Sequence, residues 1–319
     1  MNRSDVLAAQ ERIGAHVRKT PLLSSPALDA LAGGRRVLLK AECLQHTGSF
    51  KARGGWSALS ALAPEVRARG VIAFSSGNHA QGVARAAAAF GVSAVIVMPS
   101  DAPAVKIANT RALGAEVVLY DRATDDRDAI GAHMAEARGL TLVKPFDDPM
   151  VIAGQGTIGL ELLDELPEGW QGEVLVPCGG GGMSAGIALA LEGSGARVRP
   201  VEPAGFDDTA RSLAGGKIER NARLSGSICD AIITPAPGVL TFPILYRLCG
   251  PGLIVSDDQA LEAMVLAFRH LRVVLEPGGA VALAAALFLP GLAGDVVAIG
   301  SGGNVDEALF AAAQAKFPG

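Results

Sequence analysis

The stretch HTGSFKARGG, His46 to Gly55, puts a single lysine, Lys51, after a Gly-containing turn and at the start of a helix-like run. A lysine at such a junction can act as an amine nucleophile or base if its surroundings lower its pKa. A second signal is VLVPCGGGGMSAG, Val174 to Gly186, where a strand-like run meets four glycines and then a helix-like run. Glycines let backbone approach a ligand closely, and a helix N-terminus offers free N–H groups at the positive end of its dipole. This reads as a phosphate cradle. A tight strand–helix turn without a ligand is the plain alternative, but four glycines carry an entropic cost that such a turn does not require. Two further turns, FSSGNHAQG (74–82) and IGSGGNVD (299–306), also follow strand-like runs and offer Ser and Asn side chains. Ser75, Ser76 and Asn78 could simply cap a helix. Taken with the glycine loop, however, these turns line a pocket for something small, polar and phosphorylated.

Two phosphorylated ligands compete. Gly180-x-Gly182-x-x-Ala185 fits a dinucleotide pattern, and Glu202 ends the next strand-like run, where an acid would hold a ribose hydroxyl. That is the reading of an NAD-binding oxidoreductase. The late position of the motif and the other polar loops count against it. A phosphate cradle, polar loops and a lysine at a helix start are the parts that pyridoxal 5′-phosphate needs, since a lysine amine condenses with its aldehyde.

Such loops need a scaffold. Strand-like runs at Arg36–Lys40, Val71–Ser75, Ala94–Met98, Glu116–Tyr120, Leu140–Val143, Glu173–Pro177, Arg197–Val201 and Asp295–Gly300 alternate with helix-like runs such as Gln81–Phe90, Asp125–Arg138, Gly154–Glu165, Met183–Leu191 and Asp258–Leu271. Alternation of this kind, with strands apolar along their length, predicts an α/β fold of mainly parallel sheets flanked by helices. Proline-containing turns at Lys144-Pro145 and Asp148-Pro149 mark a boundary. We expect a small domain, 70–146, inserted into a large one made of 1–69 and 147–319, with the ligand in the cleft between two sheets.

Composition narrows the function. The 319 residues are half apolar, so a sizeable core forms, and aromatics are only 4%. The net charge of −4, without runs of like charge, points away from nucleic acid and anionic membranes. The apolar run Ala280–Leu289 stops at Pro290 and is too short to span a bilayer. The polar, amphipathic start is no signal peptide, and the four cysteines lack disulfide or zinc spacing, so a cytoplasmic location is expected. Cys43 and Cys178 read as small buried hydrophobes.

HTGSFKARGG, SSGNHAQG, the GGGGM loop and the terminal SGGN, in this order, resemble the motifs of fold-type II pyridoxal-phosphate enzymes of the threonine/serine dehydratase and serine racemase family. The resemblance covers nearly the whole chain. It implies the tryptophan synthase β-like architecture, two open, mainly parallel twisted sheets with a small domain inserted in a large one. It implies that Lys51 holds the cofactor, that Phe50 packs near the ring, and that Asn78 bonds its phenolic oxygen. Gly179, Gly180, Gly181, Gly182 and Met183 would bond the phosphate, Gly238 would bring backbone close, and Ser301 would meet the pyridine nitrogen. A hydroxyl there leaves the ring a weaker electron sink than an aspartate would, which favours loss of a β leaving group. Ser76 would be the acid/base on the face opposite Lys51. Ser75, Ser76, Asn78, His79 and Gln81 would surround the substrate carboxylate. Arg127 matches a carboxylate-binding arginine of serine racemases, although it also suits a helix surface. Glu202, the carbonyl of Phe206 and Asp208 match a cation loop suited to Mg²⁺ or Ca²⁺. A solvated acidic turn is the alternative that the residues alone would favour.

The implied activity is β-elimination from a β-hydroxy amino acid, L-threonine to 2-oxobutanoate or L-serine to pyruvate, with ammonia released. Serine racemase and 3-hydroxyaspartate ammonia-lyase are the neighbouring alternatives, the latter needing a second cation that the sequence does not locate. The chain ends one helix after SGGN, so no regulatory domain of the biosynthetic type is expected. A homodimer is expected from family habit and the prevalence of twofold symmetry.

Overall fold

The computed structural model describes residues 1–75, 77–102, 104–121 and 123–318. Ten strands occur among them: β1 Leu22–Ser24, β2 Val37–Lys40, β3 Val71–Phe74, β4 Ala94–Pro99, β5 Glu116–Tyr120, β6 Thr141–Leu142, β7 Glu173–Pro177, β8 Arg197–Pro203, β9 Leu253–Val255 and β10 Val296–Ile299. The first helices are α1 Arg3–Ile13, α2 Pro26–Leu31, α3 Lys51–Ala61, α4 Pro64–Arg67, α5 Asn78–Phe90, α6 Ala104–Ala112 and α7 Arg127–Arg138. The remainder are α8 Pro149–Glu165, α9 Gly182–Leu191, α10 Asp208–Gly215, α11 Thr241–Leu248, α12 Asp257–Leu271, α13 Pro277–Phe288 and α14 Glu307–Lys316.

The strands form two sheets, ordered β1-β2-β10-β7-β8-β9 and β5-β4-β3-β6. Every pairing is parallel except β1 with β2. This is the expected α/β architecture of two mainly parallel sheets flanked by helices. The four-stranded sheet is built wholly from residues 71–142, and the six-stranded sheet draws on chain before and after it. The short strands β1 and β9 escape sequence reading because three residues carry too little pattern to register.

Alternation along the strands builds a core on each face of the large sheet. Val37, Leu39, Leu175, Val296 and Ala298 pack with residues of α12 and α13. Leu38, Val174, Val176, Val297 and Ile299 pack with residues of α8 and α9. The apolar run after Pro277 is therefore a helix buried inside the protein, and among the described residues no helix is long and apolar enough to cross a membrane.

Small residues bring the helices of the site together. A side chain on Gly55 would meet the backbone of Gly82 at 2.7 Å, and one on Gly82 would meet the carbonyl of Lys51 at 2.6 Å. Helix α5 thus lies directly against α3, which sets the FSSGNHAQG turn beside Lys51.

Candidate active site

Lys51 opens α3 and is half-buried. Its Nζ donates to the carbonyl of Pro145 at 2.6 Å and lies 5.0 Å from the centre of the Phe50 ring. Burial pulls its pKa down from 10.5 to about 8, because a charged ammonium is poorly solvated there. Phe50 in turn donates its N–H to the carbonyl of Ser301 at 3.1 Å, and Ser49 pairs with Gly302 in an isolated bridge. The lysine loop and the SGGN loop, far apart in sequence, therefore meet through backbone. Ser301 itself is buried.

The tetraglycine loop leads into α9 with Gly181 in the left-handed region at φ 89°, which an L side chain would strain. The first intrahelical bond there is from Ala185 N–H to the carbonyl of Gly181. The N–H groups of Gly182 and Met183 thus precede the helical ladder and have no intrahelical acceptor. Side chains on Gly180 or Gly182 would collide with Phe146, and one on Gly179 would meet the carbonyl of Ile232 at 3.0 Å. The loop is held from the other side, for the Gly180 carbonyl accepts from Gly238 N–H at 3.1 Å and from Thr241 Oγ1 at 2.7 Å. Asp147 occupies the space that a side chain on Gly238 would need, and its Oδ1 accepts from Leu240 N–H at 2.8 Å. The segment Pro145-Phe146-Asp147 therefore touches Lys51, the glycine loop and the Gly238 turn. Sequence reading marked it only as a boundary, since nothing in three ordinary residue types announces a contact made through a carbonyl and an aromatic face.

Asn78 begins α5, and its amide is held by two partners. Its Oδ1 accepts from Asn304 Nδ2 at 2.7 Å, and its Nδ2 donates to Glu276. Glu276 is buried, and burial pushes its pKa up to about 7. Lys106 lies 4.0 Å from Glu276 and 3.3 Å from Asp230. Glu276 went unread, and Asn304 was read only as part of the SGGN turn, because each needs a fold to find its partner. Ser75 ends beyond β3 with its Oγ accepting from Gly77 N–H at 3.1 Å. His79 is buried, with Nε2 2.9 Å from the carbonyl of Val143, and burial followed by the Lys51 charge lowers its pKa to about 3. It is therefore a neutral ring, donating through Nε2 and leaving Nδ1 as an acceptor. Arg127 is the exposed first residue of α7, with its guanidinium 5.4 Å from the centre of the Phe74 ring. Ser76 lies outside the described residues.

Glu202, Phe206 and Asp208 are all buried. The two oxygens of Glu202 accept from the N–H groups of Thr209 and Ala210 at 2.9 and 2.7 Å, so this acid caps the start of α10. That occupation leaves it poorly placed for a ribose hydroxyl. Burial, then the neighbouring Asp208, pushes Glu202 up to about 8, and burial raises Asp208 to about 6. Asp208 Oδ2 is buried with no hydrogen-bond partner. Among the described residues no group of three His, Cys, Asp or Glu side chains forms a metal cluster. All four cysteines are free, and burial raises the Cys43 thiol to about 12 and Cys178 well above its ordinary value, so neither acts as a nucleophile.

Comparison with known proteins agrees with this geometry. Residues 13–302 match the family described as pyridoxal-phosphate dependent enzyme. The chain is 43% identical over 311 residues to the L-threo-3-hydroxyaspartate ammonia-lyase of Pseudomonas sp, spanning 96% of each. Among solved structures it superposes on a threonine deaminase from T.th. with a TM-score of 0.89 and 45% identity, over 96% of this chain and 99% of that one. It superposes on maize serine racemase with a TM-score of 0.92 and 36% identity, over 99% and 97%. A buried glycine cradle, a lysine of lowered pKa at a helix start and polar loops converging on it thus coincide with a match over most of the chain, and this protein belongs to the pyridoxal-phosphate dependent enzyme family.

Proposed function

We propose that this enzyme is an ammonia-lyase that eliminates water from a β-hydroxy amino acid, turning L-threonine into 2-oxobutanoate or L-serine into pyruvate, with ammonia. The observation that carries the reading is Lys51, whose amine sits against Phe50 and the Pro145 carbonyl with a pKa of about 8. That value is close to what a general base needs near neutral pH. Pyridoxal phosphate, when bound, supplies an aldehyde that takes up the substrate amine and a ring that draws electrons from Cα.

The chain's own residues do the rest. Lys51 takes the Cα proton on Nζ; that electron pair forms the Cα–Cβ double bond as the Cβ–O bond breaks, and the hydroxyl leaves as water after gaining a proton. The released enamine tautomerises and hydrolyses to the 2-oxo acid and ammonia. The backbone of Gly179, Gly180, Gly181, Gly182 and Met183 would cradle the phosphate, Gly238 braces that loop, Phe50 would pack near the ring and Ser301 would meet the pyridine nitrogen. Ser75, Ser76, Asn78 and His79 receive the substrate carboxylate, His79 as a neutral hydrogen-bond partner, with Arg127 at the edge. Ser76 serves the opposite face as acid or base. Residues 70–146, which carry the four-stranded sheet, act as a small domain over the large one.

Glu202, Asp208 and the Phe206 carbonyl fit a Mg²⁺ or Ca²⁺ ion, because two buried carboxylates lie together and one oxygen of Asp208 has no partner. A homodimer in the cytoplasm completes the reading. The similarity to the Pseudomonas ammonia-lyase favours L-threo-3-hydroxyaspartate as a second substrate, and that to maize serine racemase favours some racemisation.

The test is to incubate the cofactor-loaded protein with L-threonine, L-serine and L-threo-3-hydroxyaspartate, with and without Mg²⁺, and to measure 2-oxo acid, ammonia and D-serine. Lys51-dependent 2-oxo acid is the expected result, and the fastest substrate identifies the enzyme. A cofactor-loaded protein that releases no 2-oxo acid from any of the three would overturn the proposal.

A further inference from the structure

Asn78 is an amide, and an amide offers a donor in one orientation and an acceptor in the other. Two other loops meet at its side chain, those of Asn304 and Glu276. Asn304, from the SGGN loop, donates through Nδ2 to Asn78 Oδ1 at 2.7 Å and to the carbonyl of Thr47 at 2.8 Å. The Thr47 carbonyl cannot donate, so it fixes which way Asn304 faces, and Asn304 then fixes Asn78. On its other side Asn78 Nδ2 donates to Glu276 Oε1. Among the described residues, the second hydrogen on Nδ2 has no acceptor.

Space for this chain of amides is reserved by two glycines. A side chain on Gly48, in the lysine loop, would meet Asn304 Oδ1 at 2.5 Å. One on Gly302 would collide with Glu276 Oε1 and come within 3.2 Å of Asn78 Nδ2. Thr47 itself adopts φ 59°, a conformation rare for a threonine, and the turn so formed points its carbonyl at Asn304.

We propose that Asn304 and Glu276 are positioning residues that lock the Asn78 amide with one N–H turned into the cofactor site, so that Asn78 can act only as a donor to the cofactor. This rests on the pyridoxal-phosphate site described above and adds to it the two residues that decide the orientation of Asn78. A carboxylate in place of the Asn304 amide would set acceptors against both the Thr47 carbonyl and Asn78 Oδ1. Rotating the Asn78 amide by half a turn relieves the second of these clashes and withdraws the donor, with Glu276, whose pKa burial raises to about 7, taking up a proton to donate to the rotated Oδ1. Glutamine in place of Glu276 keeps an oxygen for Asn78 Nδ2 and preserves the lock.

The experiment uses the full-length protein, stripped of cofactor and titrated with pyridoxal phosphate, without substrate. Two quantities are read: the dissociation constant, and the ratio of the long- to short-wavelength bands of the bound cofactor. Asn304→Asp is expected to weaken binding about ten-fold, the worth of one good hydrogen bond to a polar ligand, and to shift the band ratio in the direction that Asn78→Ala shifts it. Combined with Asn78→Ala it should add nothing further, because the two act through one amide. Glu276→Ala, which removes the acceptor of Asn78 Nδ2, should shift affinity and band ratio in the same direction, and Glu276→Gln, which keeps an oxygen there, should restore them. An Asn304→Asp protein of native thermal midpoint with unchanged spectrum and affinity would overturn the inference, as would an effect that persists in full without Asn78. Should Asn304→Asp fail to fold, Asn304→Ala carries the same cycle. If the unaltered protein takes up no cofactor, the family reading of the site fails along with this inference; if it does, and the variants do not respond, only the inference fails.

Discussion

The lowered pKa of Lys51 makes a prediction about cofactor capture that can be worked through. An amine attacks an aldehyde only when neutral. At pH 7 the neutral fraction of an amine with pKa 10.5 is about 300-fold smaller than that of one with pKa about 8, since each pH unit of difference is a factor of ten. The cause is loss of water around Nζ, so the sign follows directly: the uncharged form is favoured, and the reactive amine appears as pH rises through about 8. Apoprotein mixed with pyridoxal phosphate should therefore show an absorbance-detected capture rate that climbs about ten-fold per pH unit below 8 and flattens above it. A small-molecule amine run in parallel should keep climbing to beyond pH 10. A protein whose capture rate continued to rise in step with that amine would refute the reasoning, because Lys51 would then be as well solvated as a surface lysine.

Three further outcomes are expected. Arg53 is wholly buried and all five of its N–H donors are used, on Glu42 twice, Glu161, Thr157 and the carbonyl of Arg18. Arg53→Met strands two buried carboxylates and should cost about 3–5 kcal/mol in urea denaturation, without a change in m value. Gly181→Ala should lose about 1–2 kcal/mol from its left-handed backbone, read as a lowered thermal midpoint of apoprotein. Glu202 and Asp208 have folded pKa values raised above their unfolded ones, so without a cation the stability they contribute is present below about pH 4 and is lost as pH rises towards about 8. Added Mg²⁺ or Ca²⁺ should therefore raise the melting temperature more at pH 8 than at pH 6, and a gain independent of pH would refute that site.

Much of this protein is written locally. The buried strands Val71–Phe74, Glu173–Pro177 and Val296–Ile299 are short apolar runs between turn residues, and their composition alone selects a parallel sheet covered on both faces. Lys51, the tetraglycine loop and SSGN were legible as chemistry because glycine runs and a lysine at a helix start are unusual and have a physical use. Helix starts were less legible: α5 begins at Asn78, ahead of its apolar run, because its first turn is polar, and α8 begins at Pro149, directly after its Asp148 cap. Tertiary structure alone decided what surrounds these residues. Nothing local says that the Pro145 carbonyl meets Lys51, that Phe146 lies on the glycine loop, or that Glu276 and Asn304 clasp Asn78. These are contacts between groups of common type, separated by up to 226 positions in the chain. Their meaning arises from distance and burial, and both exist only once the two sheets and the helices between them have packed.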